Sequence, residues 1–195
     1  FHPTKPIFKN YWENTYTISK ITAENFVRMF REVYNMDITV LRWMNASGPR
    51  QHIYPVRKFI PMIITQAILN KDIEIYGTGK QTVDIIDVRD IANIAIKSTR
   101  NGIGKDLSKV YDVGSGHAIS CNEVAEYVVK KINSKSKINH IPMRIGEALD
   151  TKIAAKTHNE LLKKIEYKLE YSYENTMDAC IDYMRNLDEN YLKKA

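Results

Sequence analysis

Glycine-rich turns are the first thing this chain does without. Its 8 glycines fall mainly in three close pairs, Gly77/Gly79, Gly102/Gly104 and Gly114/Gly116. None spells G-x-G-x-x-G or G-x-x-G-x-x-G, the fingerprints that lay a pyrophosphate against a helix N-terminus. Cysteine is equally scarce. Cys121 and Cys180 stand far apart, without C-x-x-C spacing or clustered histidines, which excludes a disulfide or zinc framework, implies no metal and favours a reduced, cytoplasmic protein. No apolar run is long enough to cross a bilayer, no secretory pattern is present, and no repeat or low-complexity segment is evident. An initiating methionine is missing too, and the polar, proline-bearing segment after Phe1 reads as internal to a longer protein.

What remains is the composition of a globular domain: 195 residues, 44% hydrophobic and 27% charged, enough for a sizeable core. The net charge of +6 allows an acidic partner. Nucleic acid would require the cations on one face with aromatics among them. Here Lys130/Lys131, Lys163/Lys164 and Lys193/Lys194 are scattered over expected helices as solvated faces, so no nucleic-acid partner is expected. A small diphosphate ligand needs only one or two well-placed cations.

Periodicity gives an α/β order. A long helix runs to Tyr34, with Ala23, Phe26, Val27 and Phe30 at helical spacing and Asn35 at a left-handed end. Ile38 to Leu41 read as a strand, Pro61 to Leu69 as an apolar helix, and Ile73 to Tyr76, Asp84 to Ile86 and Val110 to Val113 as extended pieces. Asp87 is expected to cap a helix to about Ser98 with Asp90 as its capping-box partner. Ser120 with Glu123 repeats that box for a helix through Ile132, and Ser172 caps a last helix carrying Met177, Ile181 and Met184 on one face.

Four Y-x-x-x-K matches occur. Tyr54/Lys58 has Pro55 and Tyr76/Lys80 has Gly77 and Gly79, so both read as turns. Tyr127/Lys131 lies on an amphipathic helix without polar company, as a half-buried ring beside a solvated lysine. Tyr16/Lys20 is left, on one helix face, where a cation within about 4 to 6 Å of a phenol lowers its pKa by roughly 1 to 3 units toward general-base strength. An exposed helical pair is the plain alternative.

The motifs that follow Tyr16/Lys20 decide between these readings. Leu41-Arg42-x-x-Asn45-x-x-Gly48-Pro49, Tyr76-Gly77-x-Gly79-x-Gln81-Thr82, Asp87-Val88-Arg89-Asp90, Val113-Gly114-Ser115-Gly116 and Arg144-x-Gly146-Glu147 come in a fixed order. Together they resemble the extended short-chain dehydrogenase/reductase family, specifically its NAD-dependent nucleotide-sugar epimerases and dehydratases. The resemblance covers residues 16 to 147, with family-like helices to about 187. It implies the C-terminal part of a Rossmann-type fold with a small α/β substrate-binding lobe. Residues 1–50 would close the dinucleotide-binding domain and 51–195 would be mainly the lobe, with 84–116 returning to the Rossmann sheet.

The resemblance also implies roles. Tyr16 would exchange a proton with a sugar hydroxyl while hydride passes to NAD, rather than NADP, and Lys20 would tune Tyr16 and hold the nicotinamide ribose. Trp43 and Met44 would lie against the nicotinamide, unless they are simply core. Asn45 and Arg144 would take the substrate's diphosphate and Glu147 a ribose hydroxyl. Lys58, Phe59, Glu74 and Tyr76 would line the nucleotide pocket of a nucleoside-diphosphate sugar; an ordinary loop lysine and strand-edge tyrosine are equal alternatives, as is a surface ion pair for Glu147. A homodimer through the Tyr16 to Asn35 helix is implied. Val83 departs from the pattern, since many relatives carry arginine there; Arg57 or Lys58 compensates, or the substrate lies differently. The longer form would be the enzyme, and these residues alone inactive. The alternative is a nucleotide-sugar binding protein without turnover.

Overall fold

Val40 to Ser47 run extended but change partner midway, and this fork organises the molecule. The computed structural model describes residues 15–55, 58–100, 110–144, 155 and 158–193. In chain order these give α1 Thr15–Tyr34, β1 Val40–Trp43, β2 Asn45–Ser47, α2 Phe59–Ile68, β3 Ile73–Tyr76, β4 Thr82–Val83, β5 Ile85–Asp87 and α3 Val88–Arg100. Then follow β6 Val110–Val113, β7 Ile119–Ser120, α4 Cys121–Ile132, β8 Ile138–Ile141, α5 His158–Lys164, α6 Tyr173–Arg185 and α7 Glu189–Leu192. β1 pairs in parallel with β6, Val40 opposite Val110, whereas β2 pairs in parallel with β5, Asn45 opposite Ile85. β3 and β8 form a third parallel pair, and β4 and β7 an antiparallel one.

Two apolar clusters lie on either side of β5. Successive residues of a strand point to opposite faces. Accordingly Ile85 enters a cluster with Ile63, Ile64, Ile73, Val124, Val128, Met177 and Ile181 of α2, β3, α4 and α6. Ile86 enters the other, with Ile94, Tyr111, Val113, Leu161 and Ile165. Helix α2 is apolar nearly all round because α4 and α6 flank it, and truncating fully buried Ile63 to alanine would cost roughly 2–5 kcal/mol.

Local signals place several element ends as read. The Ser120 hydroxyl accepts from the Glu123 N–H while the Glu123 carboxylate accepts from the Ser120 N–H, and Ser172 and Asn175 form the same box on α6. Asn35 takes the left-handed conformation after α1 as expected, and Asn133, which the sequence reading did not single out, does the same after α4. Met177, Ile181 and Met184 are buried together.

Other expectations are corrected. The first strand is Val40–Trp43 rather than 38–41, because the Arg31 guanidinium takes the Ile38 carbonyl and draws that residue toward α1. α2 begins two residues earlier than expected, since Pro61 falls in its first turn where no N–H partner is needed. Asp90 forms no capping box. It is fully buried, and its carboxylate accepts from the Tyr167 hydroxyl at 2.6 Å and from the N–H groups of Glu170 and Tyr171. Tyr127 and Lys131 have polar company after all: both donate to the Asp178 carboxylate of α6, each at 2.7 Å. The Phe26 and Phe30 stripe of α1 faces outward, while Thr17 and Arg31 are its buried residues.

Candidate functional site

Tyr16 and Lys20 stand one turn apart near the start of α1, half exposed and exposed. The Lys20 ammonium sits 5.3 Å from the Tyr16 ring centroid, a spacing that follows from the i, i+4 stacking of helical side chains. Glu24 continues the same face one turn on. Its carboxylate takes two bonds from Arg42 of β1, each 2.7 Å.

Asn45 occupies the fork. The Met44 N–H still bonds Val113, at the end of β6, but the Asn45 N–H bonds the Asp84 carbonyl beside β5. In open α/β sheets such partings beyond strand ends are where ligands lie. The Asp84 N–H in turn donates to Asn45 Oδ1 at 3.3 Å, so the carboxamide is oriented with its Nδ2 donors available to a ligand.

Beneath the fork lies a carboxylate that no spacing rule pointed to. Asp84 is fully buried, and its Oδ1 accepts from the Ser115 N–H at 2.6 Å and hydroxyl at 2.7 Å. Its Oδ2 accepts from the N–H groups of Gly116 at 3.0 Å and Ala155 at 2.8 Å. A Cβ on Gly114 would stand 2.5 Å from that Oδ2, so only glycine admits the carboxylate there. The one available signal was a charged residue directly before Ile85-Ile86.

A second group gathers at the end of β3. The Arg144 guanidinium lies 4.6 Å from the Tyr76 ring centroid, bringing together two residues separated widely in sequence. Gln81 donates to the Tyr76 carbonyl at 2.6 Å, and Asn122 donates to the Thr78 carbonyl while bonding His140 at 3.0 Å, which fixes the Tyr76-to-Gln81 turn on α4. Glu74 is half-buried opposite Asn139 on β8. Lys58 is exposed at the N-terminal boundary of α2, and Phe59 packs on the first cluster.

Met44 is buried, and Trp43 packs half-buried on the second cluster. Val83 is opposite Ile119 and packs on the first cluster, where an arginine would lose its solvation. Arg57 and Glu147 lie outside the described residues. Among the described residues no three acidic, cysteine or histidine side chains gather as metal ligands, and no helix is long and apolar enough to cross a membrane.

Electrostatics concentrates behind the site. Burial works to raise the Asp87 carboxyl, but the side-chain and backbone bonds from Arg89 and the Thr176 hydroxyl outweigh it and hold Asp87 below the usual range. Arg89 also stacks 3.5 Å from the Tyr171 ring centroid. Burial likewise works to raise the Asp178 carboxyl, but the bonds from Lys131 and Tyr127 outweigh it and hold Asp178 below the usual range, while burial and then Asp178 push the Tyr127 phenol up.

The architecture and its forked strand define a Rossmann-type α/β protein. The fold matches that of the epimerase Mth375 from Methanothermobacter thermautotrophicus with a TM-score of 0.83 and 20% identity, over 96% of this chain and 54% of that one. The UDP-N-acetylglucosamine 4-epimerase from Methanobrevibacter ruminantium M1, solved with UDP-N-acetylmuramic acid, matches with a TM-score of 0.76 and 28% identity, over 94% and 58%. In sequence, the low-salt glycan biosynthesis protein Agl12 of Haloferax volcanii is 31% identical over 181 residues, 90% of this chain and 54% of its own length. The chain thus spans about half the length of the curated relatives it matches. Residues 3–114 match the model of the NAD dependent epimerase/dehydratase family, and the chain belongs to that family.

Proposed function

We propose that this chain carries the proton-transfer and substrate-binding side of an NAD-dependent nucleotide-sugar epimerase or dehydratase. The observation that carries the reading is the Lys20 ammonium held beside the Tyr16 ring on the helix that leads to the fork. Bound NAD would supply the acceptor for the hydride leaving a sugar carbon. Tyr16 takes the proton of the adjacent hydroxyl and later returns it, with the Lys20 ammonium held 5.3 Å from the ring centroid. A phenol and an ammonium one helical turn apart also fit the hydroxyls of the nicotinamide ribose, with Trp43 and Met44 at the end of β1 assigned to the nicotinamide. Epimerisation and dehydration share this opening step.

Asn45 and Arg144 bind the diphosphate of a nucleoside-diphosphate sugar. The Arg144 guanidinium lies 4.6 Å from the Tyr76 ring centroid, and in this reading Tyr76 stacks on the nucleotide while Lys58, Phe59, Glu74 and Glu147 serve the same ligand. Within this scheme residues 1–50 and 84–116 serve the dinucleotide-binding domain and most of 51–195 the substrate lobe. The outward stripe of α1, Phe26 at 58% and Val33 at 66% exposure, suits the same stripe of a second copy, giving a homodimer whose test is sedimentation of a Phe26→Asp variant. The two buried free thiols suit a reducing, cytoplasmic setting.

The experiment is a turnover assay of the natural gene product with UDP- and dTDP-hexoses and NAD, followed by NMR of the sugar, with Tyr16→Phe alongside. Conversion by wild type and a loss of roughly 100-fold or more in Tyr16→Phe is expected. Tight retention of a nucleotide sugar without conversion would replace this reading with that of a binding protein.

A further inference from the structure

Helix α1 presents Tyr16 and Lys20, yet its apolar residues do little to seat it on the described strands. Phe26, Phe30, Val33 and Tyr34 are exposed, and its buried residues are a threonine and an arginine. Among the described residues, Glu24 ties α1 to the sheet near the site. Its two carboxylate oxygens each take one 2.7 Å bond, from Arg42 Nε and Nη2, the fork-to-fork geometry that fixes both distance and angle. Arg42 Nη1 reaches Asp112, its register partner on β6, at 3.6 Å. The Glu24 and Arg42 side chains are only 21% and 23% exposed and that of Asp112 9%, so this is not a loose surface pair.

The placement matters as much as the bonds. Glu24 is one turn beyond Lys20, about 6 Å along the axis, and Arg42 is three residues before Asn45 on the same extended run. One guanidinium therefore links the helix bearing the Tyr/Lys pair to the strand bearing the fork asparagine. We propose that Glu24 and Arg42 are positioning residues whose forked ion pair, braced by Asp112, sets where Tyr16 and Lys20 stand relative to Asn45. The inference rests on the proposed function for its catalytic consequence and on the geometry alone for its structural one. Displacing reacting groups by about 1 Å costs on the order of 100-fold in rate, because proton transfer tolerates little misalignment.

The test compares Glu24→Gln and Arg42→Lys with wild type in the natural gene product, reading kcat and KM for the nucleotide sugar together with amide hydrogen exchange. Both variants remove the forked charge pair while keeping shape or charge. The expected result is a fall in kcat of roughly 10- to 100-fold at a KM within about twofold of wild type, with faster exchange confined to α1. Wild-type kcat in both variants, or an effect on KM alone, overturns the positioning role and leaves the proposed function standing. An inactive wild type overturns the proposed function instead, and exchange then decides the clasp: α1 amides exchanging at the wild-type rate in both variants sink it, whereas roughly tenfold faster exchange in α1 with unchanged strands upholds it.

Discussion

The main-chain N–H of Asp84 donates to the side-chain oxygen of Asn45, 39 positions away, while the Asn45 N–H donates back to the Asp84 carbonyl. This reciprocal pair turns a strand fork into an oriented donor. Replacing Asn45 with alanine removes the carboxamide, and with it the acceptor of the Asp84 N–H, but keeps the main-chain bond from Asn45 to Asp84. In the natural gene product Asn45→Ala should raise KM for a nucleotide sugar roughly 10-fold, the value of one net hydrogen bond. An unchanged KM would remove Asn45 from the diphosphate site.

Asp84→Asn should be far more damaging than its conservative chemistry suggests. Four donors converge on that carboxylate, and an amide would turn its own N–H groups toward two of them. The expected loss is roughly 3–5 kcal/mol, read from urea unfolding. A loss below about 1 kcal/mol would mean the turn at 114–116 is held by something else.

Acid should weaken the fold through Asp87 and Asp178. Both carboxyls are held lower in the folded protein than in the unfolded chain, so the folded state binds fewer protons in that range. Their stabilisation is fully present above the unfolded value of about 3.9 and is lost as pH falls through the folded values. Urea midpoints measured from about pH 7 to about pH 3 should fall at the acid end, and Asp87→Asn should flatten that fall while lowering stability at neutral pH. A midpoint that rises on acidification would contradict the assignment.

How much of this was legible in the sequence depended on the separation of the partners. The Ser120/Glu123 box, the Ser172 cap and the left-handed Asn35 depend on residues within a turn of one another, and periodicity marked the helices they bound. Tyr16 and Lys20 were visible for the same reason, as one helical turn. The site's supports were not. Arg42 finds Glu24 across 18 positions, Asp84 finds Ser115 across 31 and Tyr167 finds Asp90 across 77, distances over which no pattern of residue types carries geometry. Asp90 looked like a capping residue because its local spacing allowed one, but burial beside Tyr167 offered its carboxylate three donors. Tyr127 and Lys131 looked plain because their common partner, Asp178, sits on another helix.

Both cysteines should be chemically quiet in the native state. Burial pushes the Cys121 thiol up to about 11; burial and then the neighbouring Asp87 push Cys180 up to about 12. The reactive thiolate is thus rare at neutral pH. Labelling by an aromatic disulfide reagent should proceed only as fast as the protein opens and become immediate in denaturant. Prompt labelling of the native protein would show a thiol reachable without unfolding.

The neighbours Ile85 and Ile86 belong to different hydrophobic clusters, so three residues of β5 serve as a common wall between them. A wall one strand thick has no slack in length. Adding or deleting a single residue there would exchange the two isoleucines and unseat both clusters at once, besides breaking the Asp84 and Asp87 anchors at its ends. Chain-length variation, whether in grafted loops or split-protein junctions, is therefore forbidden at 84–87.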